Sequence, residues 1–379
     1  MAKKLAFDKV LFGAILLLVG FGLVMVYSAS AAIAAESGAG HNPFLVKQAV
    51  AAALGLGLML GIMHIDYRHL RQPWLVYSIL GVTVVLLVAV LFAPQLNQTH
   101  RWLFIGGISL QPSEIAKLAL VVFLAYQLER KAEPAAHEAD GKLRAARATG
   151  RGVNQPELLV PALGAAGLLS LLVLLEPHMS AALVLAAITC LLLFLAGLAW
   201  RTVLVTLAIA VPVVALAVWI EPYRRQRFLT FLDPERDPLG SGFQVMQSLI
   251  AVGSGGIFGQ GLGHGAQKLY FLPYPHTDFI FAIVGEELGL VGALGLLALF
   301  TTVAWKGAQA GLRAPDALGR YLAWGFTGLI VLQALLHCSV AVALLPSTGV
   351  PMPFLTYGGS AMVAALVGSG VVLNVSQHG

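Results

Sequence analysis

The chain has 379 residues, of which 58% are hydrophobic and only 11% charged, with a formal net charge of +5. Soluble domains carry about 25% charged residues. A mean hydropathy of +0.84 leaves too little polar surface to face water, so lipid is the solvent for most of the chain. That composition argues against a soluble enzyme, and two cysteines inside apolar runs, Cys190 and Cys338, argue against a disulfide framework or a metal site.

The chain opens Met1-Ala-Lys-Lys and runs into a spanning-length apolar segment with no clear small-residue cleavage site, which reads as a retained first helix. Apolar runs then follow in order at roughly 10–32, 48–65, 74–93, 112–128, 157–175, 179–199, 202–220, 279–305, 320–345 and 354–375. The expected fold is an all-α polytopic membrane protein of about ten transmembrane helices. An even number places both termini on one side. Lysine and arginine fix which side: Lys3, Lys4, Lys9, Arg68, Arg71, Arg130, Lys131, Lys142, Arg144, Arg147, Arg151, Arg201, Lys306, Arg313 and Arg320 share one set of loops. The opposite short loops carry little beyond Lys47 and Arg101. Both termini are therefore expected in the cytoplasm, and the basic excess reflects topology, not nucleic-acid binding. Residues 129–156 form a polar cytoplasmic loop, and 221–278 a long extracytoplasmic loop before the eighth helix. The second loop is rich in Gly and Pro but contains apolar residues throughout, so it is expected to fold onto the membrane surface with short helices.

Ionisable groups inside a bilayer cost roughly 2.5–3.5 kcal/mol each on insertion scales, so each needs a reason. Glu114 and Lys117, in Gln111-Pro-Ser-Glu-Ile-Ala-Lys117, stand three apart on one helix face, where they can pair. An ion pair that anchors the helix and a substrate contact both fit. Arg101, in Thr99-His-Arg-Trp102, fits an interfacial anchor as well as a substrate contact. Glu176-Pro-His178 is a tight outer turn and reads as a structural cap.

The segment richest in polar groups is Phe271-Leu-Pro-Tyr-Pro-His-Thr-Asp-Phe-Ile-Phe281. His276, Thr277 and Asp278 stand where the long loop re-enters the membrane. Thr277 or Asp278 could simply cap the next helix. A partly desolvated carboxylate near basic groups is also a good general base. Glu286 and Glu287, deeper in that helix, read as structural. The Gly261-Leu-Gly-His-Gly-Ala266 run imitates a dinucleotide fingerprint, but no strand-turn-helix surrounds it, and no Walker-type loop occurs, so no nucleotide is expected. An extracytoplasmic site must then use a pre-activated donor. A lipid-linked diphosphate suits the cationic loop residues Arg224, Arg225, Arg227, Arg236 and Lys268.

These segments resemble the SEDS family, the shape, elongation, division and sporulation proteins of FtsW and RodA type. The resemblance rests on Arg101-Trp102, the run 111–117, Tyr223-Arg-Arg-Gln-Arg227 and Asp233-Pro-Glu-Arg-Asp-Pro238. It continues through Gly253-Ser-Gly-Gly256, the run 276–281, Glu286-Glu-Leu-Gly289, Leu345-Pro-Ser-Thr-Gly-Val-Pro351 and Tyr357-Gly-Gly-Ser360. It covers nearly the whole chain and implies one transmembrane SEDS domain over 1–379. It also implies a multi-pass protein of the bacterial cytoplasmic membrane that polymerises lipid II into undecaprenyl-linked glycan at the outer face. The partner implied is a class B penicillin-binding protein, the transpeptidase, and a divalent cation, Mg or Mn, is the implied cofactor. Asp278 matches the family's essential acid. The substrate contacts implied are Arg101, Glu114, Lys117, Arg224, Arg227, Lys268, His276, Thr277 and Ser360. Three departures stand out. Glu176-Pro-His-Met-Ser180 replaces the usual Gln-Pro-Asp-Leu-Gly, His337 stands where Asn is common, and Ala361 follows Ser360. The Gly261–Lys268 stretch mixes features of both branches, with a lean towards the division-type FtsW. A flippase of lipid-linked precursor, using Glu114, Lys117, Glu176 and His337 as a polar path, and a non-catalytic scaffold for the transpeptidase are the competing functions.

Overall fold

Proline marks where five of the helices begin: Pro43, Pro73, Pro112, Pro156 and Pro222 each open one. Proline has no amide to leave unsatisfied in a first turn, and its φ is already helical. The computed structural model describes residues 7–36, 42–94, 100–105, 108–132, 156–233, 241–269, 271–273 and 275–379. Its elements are α1 (Lys9–Glu36), α2 (Pro43–Met63), a 3-10 turn (Tyr67–Arg71), α3 (Pro73–Leu91), β1 (Leu103–Ile105), β2 (Ile108–Leu110), α4 (Pro112–Ala132), α5 (Pro156–Leu175) and α6 (Met179–Leu195). They continue with α7 (Trp200–Ile220), α8 (Pro222–Leu232), α9 (Ser241–Ser254), α10 (Ile280–Arg313), α11 (Ala317–Ala341) and α12 (Gly359–Ser376).

The order of long helices follows the apolar runs. Among the described residues, 7 are long and apolar enough to cross a membrane by length and composition alone. α4 carries Glu114 and Lys117, and α6 has only 17 residues. The long outer loop contains the expected short helices, α8 and α9. Three details differ from expectation. The chain is not wholly helical, because Leu103–Ile105 pairs antiparallel with Ile108–Leu110; β-branched and aromatic residues flanking Gly106-Gly107 are a hairpin sequence. The sixth helix ends at Leu195, not near 199, with Gly197 at φ +96. The last helix begins at Gly359, not near 354. Pro351 and Pro353 cannot continue a helical hydrogen-bond ladder, and residues 342–358 fold instead as a covering segment. The lysines at 3 and 4, Arg236 and most of the expected cytoplasmic loop (133–155) lie outside the described residues.

The two ends of the bundle are chemically distinct. At one end Arg71 pairs with Glu129 at 2.7 Å and Asp316 at 3.4 Å, Arg68 with Asp316 at 3.2 Å, and Lys306 with Asp8 at 3.1 Å. The Asp8 amide also reaches Ser376 Oγ, so the start of α1 and the end of α12 lie together. α2 and α12 form the most extensive helix pair. Asn374 locks it by donating to the carbonyls of Ile62, Met63 and Ile65 and accepting from the Tyr67 amide. This basic end is the cytoplasmic one. Asp278 lies at the opposite end of α10.

α10 is broken at Gly289 (φ +65, ψ −161), and the break organises the outer loop. Carbonyls of Glu286 and Glu287 take the amides of Gln260 and Gly261 at 3.0 and 2.9 Å, while the amides of Leu290 and Val291 reach Gly256 and Ile257 at 2.9 and 3.1 Å. Irregular backbone at membrane depth is tolerated only when its polar groups are satisfied inside the protein, and here they are. The two acidic side chains do the same work. Glu286 accepts from the amides of Ala266 and Gln267, and Glu287 holds Lys268 at 2.6 Å and Ser28 Oγ at 2.7 Å. A Cβ at 289 would sit 2.4 Å from the Gly259 nitrogen and 2.6 Å from the Ile257 oxygen, in a backbone conformation that side chains avoid. Gly289→Ala should therefore cost at least about 1–3 kcal/mol from backbone strain. A lowered unfolding midpoint in detergent checks this; an unchanged midpoint would mean the break is not required.

Candidate active site

The outer end is assembled by arginines that grip backbone carbonyls. Arg224 and Arg227 lie three apart on α8, hence on one face. Arg224 reaches the Leu174 carbonyl at 3.4 Å and Arg227 the Ser347 carbonyl at 3.0 Å. Arg101 donates to the Glu176 carbonyl at 3.4 Å and to that of Pro177. Arg101 and Arg224 thus hold the turn at 174–178, and Arg227 holds the covering segment 342–358.

The covering segment is fixed along its length. Ser180 Oγ donates to the Thr348 carbonyl, His337 Nδ1 meets Val350 O at 2.8 Å, and the Met352 amide reaches Thr356 Oγ1 at 2.7 Å. Gln48, fully buried on α2, donates to Thr356 O and accepts from the Gly358 amide, both at 3.1 Å. The Tyr357 amide then donates to His276 O at 2.9 Å. Phe44, His276 and Tyr357 form a ring cluster with centroids 4.8–5.6 Å apart. Asp278 is therefore placed by its immediate neighbours, two residues from a locked histidine.

Asp278 is half-buried. It does not cap α10, whose N-cap is Phe279 with no side-chain cap bond. Its carboxylate faces Gly349 (φ +69): a Cβ there would lie 3.7 and 3.8 Å from Oδ2 and Oδ1. Burial raises its pKa above the ordinary carboxylate value, and the charges of Arg227 and then Arg101 oppose that rise. The result is a carboxyl of raised basicity flanked by two cations.

The other expected contacts fall into four groups. Arg101, Arg224 and Arg227 surround the outer end with Asp278, and half-buried Thr277 adjoins it. His276 is buried, and burial lowers its pKa to about 4, so it packs as a neutral ring and not as a cation. Glu114 and Lys117 lie in α4, 2.7 Å apart and 3% and 2% exposed. They line a cavity of about 10 Å³ with Gln333 and Phe326, room for one water. Two residues are engaged elsewhere. Lys268 is neutralised by Glu287, and Ser360 Oγ ties α12 to the hairpin through the Gln111 amide and Ser109 carbonyl. Among the described residues, no three His, Cys, Asp or Glu side chains converge as a metal site.

Glu176 reads from the sequence as part of a cap or as one step of a flippase's polar path. It is 0% exposed, and neither carboxyl oxygen has a hydrogen-bond partner. Arg101, whose charge acts on it, is 75 residues away in sequence, so no local pattern revealed it.

A helical bundle with a basic cytoplasmic end and an acid flanked by arginines at the other defines a multi-pass inner-membrane protein with its candidate chemistry outside the cytoplasm. The FtsW/RodA/SpoVE family, described as cell cycle protein, matches residues 8–379, and the chain belongs to it. A relative in Geobacter metallireducens named "probable peptidoglycan glycosyltransferase FtsW" is 38% identical over 94% of this chain and 91% of its own length. Among solved structures, a chain of a peptidoglycan synthase complex, described in terms of coordinated polymerization and crosslinking, superposes with a TM-score of 0.77 at 34% identity over 98% of both chains. The rod shape determining protein RodA of Thermus thermophilus gives 0.68 at 28% identity, over 98% of this chain and 97% of that one.

Proposed function

We propose that this chain is a peptidoglycan glycosyltransferase that polymerises lipid II at the outer face of the cytoplasmic membrane, in cell division or cell shape. Asp278 acts as the general base. It takes the proton from the 4-hydroxyl of the acceptor sugar; that oxygen bonds to C1 of the donor as the C1–O bond to undecaprenyl diphosphate breaks. Arg101 and Arg227 offset the charge on the departing diphosphate, with Arg224 beside them. Membership of the family and the names of the relatives support the reaction class. The observation that carries the assignment is the uncapped, half-buried Asp278 carboxylate, facing Gly349 and flanked by two arginines. The likeness to a synthase complex supports a class B penicillin-binding protein as partner. A flippase is less favoured, because Glu114 and Lys117 neutralise each other beside a cavity of single-water size. A pure scaffold gives the Asp278 arrangement no purpose.

The reading is tested with the purified chain, a class B penicillin-binding protein and labelled lipid II: glycan strands are expected, and none from an intact complex would overturn it. The pH profile adds a sharper check. The base must be ionised, so activity should rise with pH through a limb above the ordinary carboxylate range. Arg227 stabilises the ionised form, so Arg227→Gln should move that limb to higher pH. A limb that stays put would remove Arg227 from the site.

A further inference from the structure

We propose that Glu287 is a positioning residue for Asp278: with Lys268 and Ser28 it closes the loop that carries the base, and so governs kcat and not the binding of the donor. This rests on the reading of the site given above. The closure is made at two adjacent points. Glu287 accepts from Lys268 Nζ at 2.6 Å and from Ser28 Oγ at 2.7 Å, and Lys268 Nζ also reaches Ser28 Oγ at 3.0 Å. Glu286 accepts from the amides of Ala266 and Gln267 at 2.7 and 3.1 Å. Asp278 lies between these points, ten residues after Lys268 and nine before Glu287. Tying the ends of a loop together removes much of its freedom.

The closed segment has little regular structure of its own to hold its shape. Its described residues from Lys268 to Phe279 form turns and bends, and helix begins only at Ile280. The amide of buried Leu272 folds back on the Gln267 carbonyl at 2.8 Å, and the His276 carbonyl takes the Tyr357 amide. The covering segment therefore holds one side of Asp278, and the acidic pair holds the other. The use of a charged pair is informative. Lys268 and Glu287 are 5% and 0% exposed. A buried ion pair adds little net stability over apolar residues of the same size, but its hydrogen bonds are directional. Here they join three elements, the loop, α10 and α1. The last of these also bears on the opposite wall. Gly22 of α1 lies against the Phe354 carbonyl with no room for a Cβ, and Phe354 belongs to the covering segment whose Gly349 faces Asp278. One helix thus registers both the base and the surface it faces. The arginines come from other elements, α8 and the stretch before β1, so loosening the closure should shift Asp278 and leave donor affinity alone.

The experiment measures kcat and KM for lipid II with the full chain and its penicillin-binding partner, and unfolding midpoints in detergent. It compares wild type, the double variant Lys268→Met, Glu287→Leu and the single variant Ser28→Ala. The double variant removes both charges together, so its midpoint should stay near that of wild type. Its kcat should fall about 10–100-fold, the scale of a slight misplacement of the base, with KM held within about twofold. Ser28→Ala keeps the ion pair and loses one hydrogen bond, and its kcat should fall about fivefold at unchanged KM. Should the double variant fail to fold, Ser28→Ala decides alone. Wild-type kcat in either folded variant would make the pair an anchor only and overturn the proposal. A raised KM in the double variant would make Lys268 a donor contact and overturn it as well. In both cases the polymerase reading stands. Absence of glycan from wild type would instead sink that reading.

Discussion

Asp278→Asn should abolish glycan synthesis from lipid II, by about 10²–10⁴-fold, the usual worth of a general base. The change is isosteric and removes no helix cap, since α10 takes none from this side chain. Stability should move in the opposite direction from activity. The folded pKa of Asp278 is raised by burial, so its contribution to stability is present below the ordinary carboxylate value and is lost as pH rises through the raised one. Above the ordinary carboxylate value the acid is therefore a cost to stability, and asparagine relieves it. An inactive variant with an equal or higher unfolding midpoint is the expected signature of a group retained for chemistry. Asp278→Glu tests placement, because a misplacement of about 1 Å can cost 10²-fold. Full activity in Asp278→Asn, with the partner present and lipid II supplied, would remove the carboxylate from the mechanism.

How much of this was readable in the sequence depends on the distance over which each feature is encoded. Helices are local: apolar runs of spanning length and prolines at Pro43, Pro73, Pro112, Pro156 and Pro222 carry their own signal, and the ten runs and the long helices agree in order. The errors at 195 and 359 arose where glycine and proline ended helicity inside stretches that remain apolar. The Glu114–Lys117 pair was legible because three residues on a helix is a contact distance. Asp278 was legible as a polar residue at a membrane boundary, but its alternative as a cap could be set aside only with Phe279 seen in that position. The pairs Lys268 with Glu287 and Arg101 with the turn at 176–177 were not legible. The first depends on a loop folding back over a broken helix at Gly289, and the second joins segments 75 residues apart. Lys268 illustrates the consequence: as a cation in a basic loop it matched a diphosphate contact, yet a buried carboxylate already neutralises it.

Breaking the Glu114–Lys117 pair is expected to have the largest effect on stability. Both side chains are nearly inaccessible, and 2.7 Å separates them. Removing one partner strands the other charge in a low-dielectric interior, so Glu114→Gln or Lys117→Met should cost about 3–5 kcal/mol. Replacing both with apolar residues of similar size removes the desolvation penalty together with the attraction, and the double variant Glu114→Leu, Lys117→Met should recover most of that loss. Unfolding midpoints of the three proteins in detergent measure this, and singles as stable as wild type would contradict a buried charge pair. The double variant also separates the two roles left open by the sequence. As an anchor only, the pair is dispensable once both charges are gone, and the refolded double variant should polymerise lipid II with an ordinary KM. As a substrate contact, the pair is needed in its charged form, and the stable double variant should show a raised KM with the Asp278-dependent chemistry otherwise intact. The pair lines one narrow crevice with His178 and with Val350, the neighbour of the Gly349 that Asp278 faces, and this favours the first outcome: the pair supports the wall against which Asp278 is aimed, and the arginines meet the diphosphate.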